Sequence, residues 1–152
     1  MAAQNALTSS NLVLTGLTAR DKEDATRQLA ELLVADGRVT EIEGFLEDVR
    51  AREEQMKTGL PFGIGIPHAR SEFVTVPSVA IGLSPEGVDF GAEDGPATLI
   101  FLIAAPAGAD DHHLHILAAL ARKLVREEFR AELRDASSAD EVVSIIEREV
   151  HV

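Results

Sequence analysis

Leu99-Ile100-Phe101-Leu102-Ile103-Ala104-Ala105-Pro106-Ala107 is the longest apolar stretch of the chain. It is strand-sized and far too short to span a membrane. No polar residue interrupts it, so it predicts a strand buried on both faces. Pro106 ends it, and Ala107-Gly108-Ala109 supplies the loop. Just upstream, Val79, Ile81 and Leu83 alternate with smaller residues, predicting a half-buried strand closed by Ser84-Pro85-Glu86-Gly87. Just downstream, the spacing predicts a helix over about 111–126, with a stripe of Leu114, Leu117, Ala118, Ala121, Leu124 and Val125.

Further out, the pattern alternates again between strand and helix. Thr58-Gly59-Leu60-Pro61-Phe62-Gly63-Ile64-Gly65-Ile66-Pro67-His68 is too rich in Gly and Pro for a helix. Ile64 and Ile66 alternate as a short strand that stops at Pro67. Before it, Ile42, Phe45, Leu46 and Val49 form one face of a helix over about 41–56. An earlier helix starts at Thr18-Ala19-Arg20-Asp21, carries Ala25, Leu29, Leu32 and Leu33, and ends at Gly37. Leu12-Val13-Leu14 suits a short strand, and the first ten residues are expected to be loosely held. Beyond the buried run, Phe129 and Leu133 suit a short helix. Ser138-Ala139-Asp140-Glu141 then caps a terminal helix carrying Val142, Val143, Ile145 and Ile146. Strands and helices intermingle, so the expected class is α/β, with a central mixed sheet covered by helices. Strand order does not follow from the pattern. With 152 residues, no repeat and no Pro/Gly-rich linker, a single domain over 1–152 is expected.

Composition narrows the function. The chain is 45% hydrophobic with six Phe and neither Trp nor Tyr, so its core is built mainly from Leu, Ile, Val and Ala. A net charge of −12 repels phosphate backbones and anionic lipid, arguing against nucleic-acid and membrane-surface binding. The same charge would steer a partner that carries a basic patch, or serve solubility alone. No cysteine is present, which excludes disulfides, thiolate metal sites and Cys nucleophiles on this chain. The N-terminus lacks a basic, apolar leader pattern, so a soluble, cytoplasmic protein without membrane insertion is expected.

Five His are then the informative nucleophile candidates. His151 is next to last and is set aside. His68 follows the Gly-Ile-Gly-Ile-Pro run, where a strand gives way to a loop, and strand ends in α/β sheets tend to display reactive groups. A neutral imidazole has a lone pair that can attack phosphorus and later leave, so it suits reversible phosphoryl carriage. A plain solvated loop His is the other reading. His112, His113 and His115 open the 111–126 helix, whose N-terminus favours a bound anion. His113 lies in line with Leu117, Leu120 and Leu124, which turns it toward the sheet. It is read either as a phosphoryl partner or as a core-edge His. Together with Asp110 and Asp111 the same cluster has metal-ligand types, but no spaced pair such as HExxH accompanies it. Arg52 offers a fork matched to phosphate oxygens, yet Arg50, Arg52, Glu53 and Glu54 also read as a solvated helix face. There is no GxxxxGK[ST] loop, and Gly82-Leu83-Ser84-Pro85-Glu86 fails the GxSxG pattern.

Several pieces in order resemble the enzyme IIA domain of the fructose/mannitol branch of the sugar phosphotransferase system. They are Arg52-Glu53-Glu54, Thr58-Gly59, Gly63-Ile64-Gly65-Ile66-Pro67-His68-Ala69, Gly87-Val88-Asp89-Phe90, Leu99 to Pro106, and His113-Leu114. The likeness runs from the first helix to the last, and the extra His at 112 and 115 is a departure from it. The resemblance implies that His68 is the phosphorylated residue. It would accept phosphoryl from the phosphohistidine of the carrier HPr and pass it to a Cys of enzyme IIB. It implies that His113 hydrogen-bonds the phosphoryl group, that Arg52 helps electrostatically, and that a mixed sheet is sandwiched by helices. No metal, nucleotide or other cofactor is implied. A regulatory IIA of the nitrogen-related branch, a metal enzyme built on the His cluster, and a non-catalytic relative stand as alternatives.

Overall fold

The computed structural model describes residues 7–108 and 112–149, with side chains for all of these except 112–114, 116 and 117. Among the described residues one mixed sheet joins β1 (Val13–Leu14), β2 (Gly59–Leu60), β3 (Ile64–Gly65), β4 (His68–Ser71), β5 (Ser78–Val88) and β6 (Ala97–Pro106). The helices are α1 (Lys22–Ala35), α2 (Ile42–Gln55), α3 (His112–Leu124), α4 (Glu127–Asp135) and α5 (Ala139–Glu149). Strand order is β1-β5-β6-β3-β2, with β4 also paired to β6. The β5/β6 and β2/β3 pairs are antiparallel, while β1/β5, β3/β6 and β4/β6 are parallel.

The expected doubly buried strand is β6, at the centre. Leu99, Ile100, Phe101, Leu102, Ile103, Ala104 and Ala105 are all at most 1% exposed. Because strand side chains alternate, Ile100, Leu102 and Ala104 enter one core with Leu29 and Leu33 of α1 and Phe45 and Val49 of α2. Leu99, Phe101 and Ile103 enter the other with Leu120 and Leu124 of α3, Leu133 of α4 and Ile145 and Ile146 of α5. The sheet is thus sandwiched by helices, as the pattern and the resemblance both predicted.

Several local expectations need correction. Helix α1 is capped by Asp21, not Thr18: Asp21 accepts from the Asp24 N–H, and the Asp24 carboxyl accepts from Arg20 N–H. Asp21 has its own acid three residues on, so the same signal recurs one turn later and wins. Gly37 does end the helix, at φ +77°. The β5 strand is not half-buried but buried on both faces from Ser78 to Ser84, because α1 and α5 cover opposite sides of its neighbourhood. Nor does it close at Ser84. It continues to Val88 through a register shift against β6, in which Ser84 Oγ accepts from Gly87 N–H. In α3, Ala118, Ala121 and Val125 are exposed while Ala119, Leu120 and Leu124 are buried. Alanines bury too little area to set a helix's rotation, and the Leu120–Leu124 pair decides it. At the other end of the chain, the Leu7 carbonyl accepts from Val79 N–H and Thr8 is buried, so the chain is held from Leu7 onward. Residues 1–6 lie outside the described ones.

Candidate functional site

The Gly- and Pro-rich stretch builds a bent ribbon beside β6. Strands β2 and β3 form a hairpin in which Gly59 faces Gly65 and Leu60 faces Ile64. Its turn places Phe62 at φ 73° and Gly63 at φ 75°, and the Gly63 carbonyl accepts from Thr98 and Leu99 N–H. The Phe62 ring lies under the Arg130 guanidinium, 4.2 Å from its carbon to the ring centre.

Sequence alone placed His68 where a strand gives way to a loop. It is instead the first residue of β4, opposite Ile103 of β6. Strands β3 and β4 pair with β6 in a single register, Ile64 opposite Leu99 and His68 opposite Ile103. They are one strand interrupted at Ile66-Pro67. Pro67 has no N–H to donate, but its carbonyl accepts from Ile103 N–H at 3.0 Å and keeps the chain alongside β6.

The His68 ring is half-buried, and its Nδ1 lies 2.9 Å from the Ile66 carbonyl oxygen. A carbonyl can only accept, so Nδ1 carries the proton and the neutral ring keeps its lone pair on Nε2. One hydrogen bond therefore chooses both the tautomer and the direction in which the nucleophilic nitrogen points.

Helix α2 packs against β4, which brings the helix of Arg52 close to the strand of His68. Arg52 itself is exposed in the last turn, and its Nη1 donates to Gln55 Oε1 at 3.3 Å. The structure thus sets the two elements together without joining the two side chains. His113 is the second residue of α3. Its side chain lies outside the described residues, as do those of Asp110, Asp111 and His112 from the alternative metal cluster. His115 is exposed.

The sequence reading missed Glu53. It was grouped with a solvated charged face, but it is only 8% exposed. Its Oε2 accepts from Thr58 N–H at 3.0 Å and its Oε1 from the Thr58 hydroxyl at 2.6 Å. Lys22 Nζ stands 3.8 Å away. A signal was present: Glu53 continues the stripe of Phe45, Leu46 and Val49, so helical spacing points it into the core. A carboxyl on an apolar stripe is buried against a partner or not at all. A cavity of about 140 Å³ borders this residue, lined also by Lys22, Val49, Pro67 and Phe90.

The sequence model for the phosphoenolpyruvate-dependent sugar phosphotransferase system, EIIA 2, matches residues 6–149. The chain is 43% identical over 126 residues to the fructose-specific EIIA component of Haloferax volcanii, covering 82% of each. Longer curated relatives also match, and the chain spans 22% to 16% of their length. Among solved structures, the nitrogen regulatory protein IIA-Ntr of Neisseria meningitidis superposes with a TM-score of 0.80 at 30% identity, over 95% of this chain and 99% of that one. The mannitol enzyme IIA of Escherichia coli, solved in complex with phosphorylated enzyme IIB, gives 0.78 at 29% identity, over 92% and 96%. A family match over nearly the whole described chain, a close full-length relative and a shared fold agree: the chain belongs to the EIIA 2 family of the phosphoenolpyruvate-dependent sugar phosphotransferase system.

Proposed function

We propose that this chain is a phosphocarrier for fructose-type sugar uptake, with His68 as the residue that carries the phosphoryl group. The observation that carries the reading is the Nδ1–Ile66 hydrogen bond, which leaves the Nε2 lone pair for attack. In the first transfer a bond forms between Nε2 and the phosphorus of phospho-HPr, and the bond from phosphorus to the donor's ring nitrogen breaks. The donor nitrogen recovers its electron pair. In the second transfer a Cys thiolate of enzyme IIB attacks the same phosphorus, and His68 is the leaving group. Such transfers ask the protein mainly for in-line positioning and for compensation of the charge on the transferred oxygens.

In this reading His113, in the first turn of α3, donates to the phosphoryl oxygens with help from the helix N-terminus. Arg52 swings from Gln55 toward the same oxygens, for which its exposed position leaves room. No metal or cofactor takes part. The partners proposed are HPr and enzyme IIB, the latter supported by the Escherichia coli relative's complex with phosphorylated IIB. A cytoplasmic location fits such partners, and among the described residues no helix is long and apolar enough to cross a membrane.

The likeness to IIA-Ntr favours a second reading, in which the same His68 chemistry signals to other proteins instead of feeding a sugar. The higher identity to a fructose-specific component ranks transport first. Phosphorylation from phosphoenolpyruvate with enzyme I and HPr tests the carrier chemistry. Wild type is expected to take acid-labile label, His68→Ala to take none, and His113→Ala to take it more slowly. A wild type that stays unlabelled by a competent donor overturns both the transport and the signalling readings.

A further inference from the structure

We infer that Glu53 is a positioning residue for His68, acting through Thr58 and Ile66. The path is a chain of single hydrogen bonds. The buried Glu53 carboxyl takes both the N–H and the hydroxyl of Thr58. The Thr58 carbonyl then accepts from Ile66 N–H at 3.1 Å, extending the β2/β3 ladder by one rung. Ile66's own carbonyl receives His68 Nδ1.

This path matters because the Ile66-Pro67 unit has few other restraints. It lies in the gap between β3 and β4, where the ladder to β6 is interrupted. Pro67 cannot donate there. The unit is held on the β6 side by the Pro67 carbonyl and on the other side by Thr58. Thr58 in turn follows the end of α2 by three residues and is buried. Without Glu53 its N–H and hydroxyl would be donors without water or partner, a state that favours shifting the strand. Glu53 answers both with the two oxygens of one carboxyl. It sits on α2, whose register is fixed by Phe45 and Val49 in the core. The helix thereby dictates where the Ile66 carbonyl stands, and that carbonyl dictates the tautomer of His68.

The kinetic part of this inference rests on His68 being the phosphoryl acceptor; the tautomer part does not. The test compares Glu53→Leu with Glu53→Gln in the full chain. Leucine suits the apolar stripe but accepts nothing. Glutamine keeps both bonds, its carbonyl oxygen accepting the N–H and its amide donating to the Thr58 hydroxyl, which can turn to accept. Nitrogen–proton long-range NMR correlations of the His68 ring are expected to report the Nδ1–H tautomer in wild type and Glu53→Gln. In Glu53→Leu they are expected to report a mixture with Nε2–H. Phosphoryl acceptance is expected to slow by about tenfold or more in Glu53→Leu, since small misplacements of a nucleophile carry large rate losses. Glu53→Gln should stay within about twofold to threefold of wild type on the same grounds. A folded Glu53→Leu with the wild-type tautomer and rate overturns the inference. If that variant does not fold, Thr58→Val against Thr58→Ser decides, and equal tautomer populations in that pair overturn it. A wild type that shows the Nδ1–H tautomer but accepts no phosphoryl group sinks the proposed function and leaves the positioning path standing.

Discussion

At the scale of single residues, the site depends on backbone groups that two unusual conformations deliver. Phe62 and Gly63 both occupy the left-handed region, and only the second lacks a Cβ. A Cβ at Gly63 would lie 3.1 Å from Arg134 Nη2 and 3.2 Å from Thr98 Oγ1, in a conformation that side chains disfavour. Gly63→Ala is therefore expected to lose about 1–2 kcal/mol in urea unfolding. Unchanged stability would mean that the turn relaxes freely and does not pin β3 to β6. His68 and Glu53 show opposite sides of what a residue's identity reveals. The Pro-His pair announced a reactive group, while Glu53 was masked by charged neighbours on its helix. Only burial, set by the packing of α2 on β4, separates it from Arg50, Arg52 and Glu54.

At the scale of elements, α1 and α2 are the scaffold behind the hairpin, and an ion pair ties them together. Arg27 donates to both Glu43 oxygens, at 3.0 and 3.1 Å. That hydrogen bonding, with the guanidinium charge, holds Glu43 below the usual carboxylate range. A carboxyl lowered in the folded state contributes stability above its unfolded value of about 4.3, and this is lost as pH falls through the lowered value. Both side chains are largely exposed, so the contribution is small and salt-screened. Arg27→Met is expected to lower the Tm slightly at about pH 7, with the gap to wild type closing by about pH 2. A gap that persists unchanged in acid would assign the effect to lost packing of the Arg27 stem instead. Most elements were legible from apolar spacing, including α2, β6 and the Ser138 cap, where Ser138 Oγ accepts from Glu141 N–H. The β4 strand was not, because Pro67 looks like a terminator when the chain is read in one dimension. Its partner β6 holds the ribbon in register past the proline, and nothing in the local sequence encodes that.

At the scale of the whole molecule, the charge of −12 is a property of every encounter the protein makes. If HPr offers a basic docking face, its association is steered by that charge and screened by salt. Under limiting donor, phosphoryl acceptance should fall by on the order of tenfold between low salt and about 0.5 M. A rate indifferent to salt would show that docking is governed by shape and apolar contact, with the acid excess serving solubility.

The sequence by itself determined the class of the fold and the identity of the candidate nucleophile. An uninterrupted apolar run demands cover on both faces, amphipathic helices supply that cover, and a chain without Cys leaves His as its reactive nitrogen. Tertiary structure alone decided the strand order, the continuation of β3 into β4, the burial of Glu53 and the tautomer of His68. These depend on contacts between residues far apart in the chain, such as His68 beside Ile103. Spacing within one segment can state which face a residue occupies, but not which partner waits there.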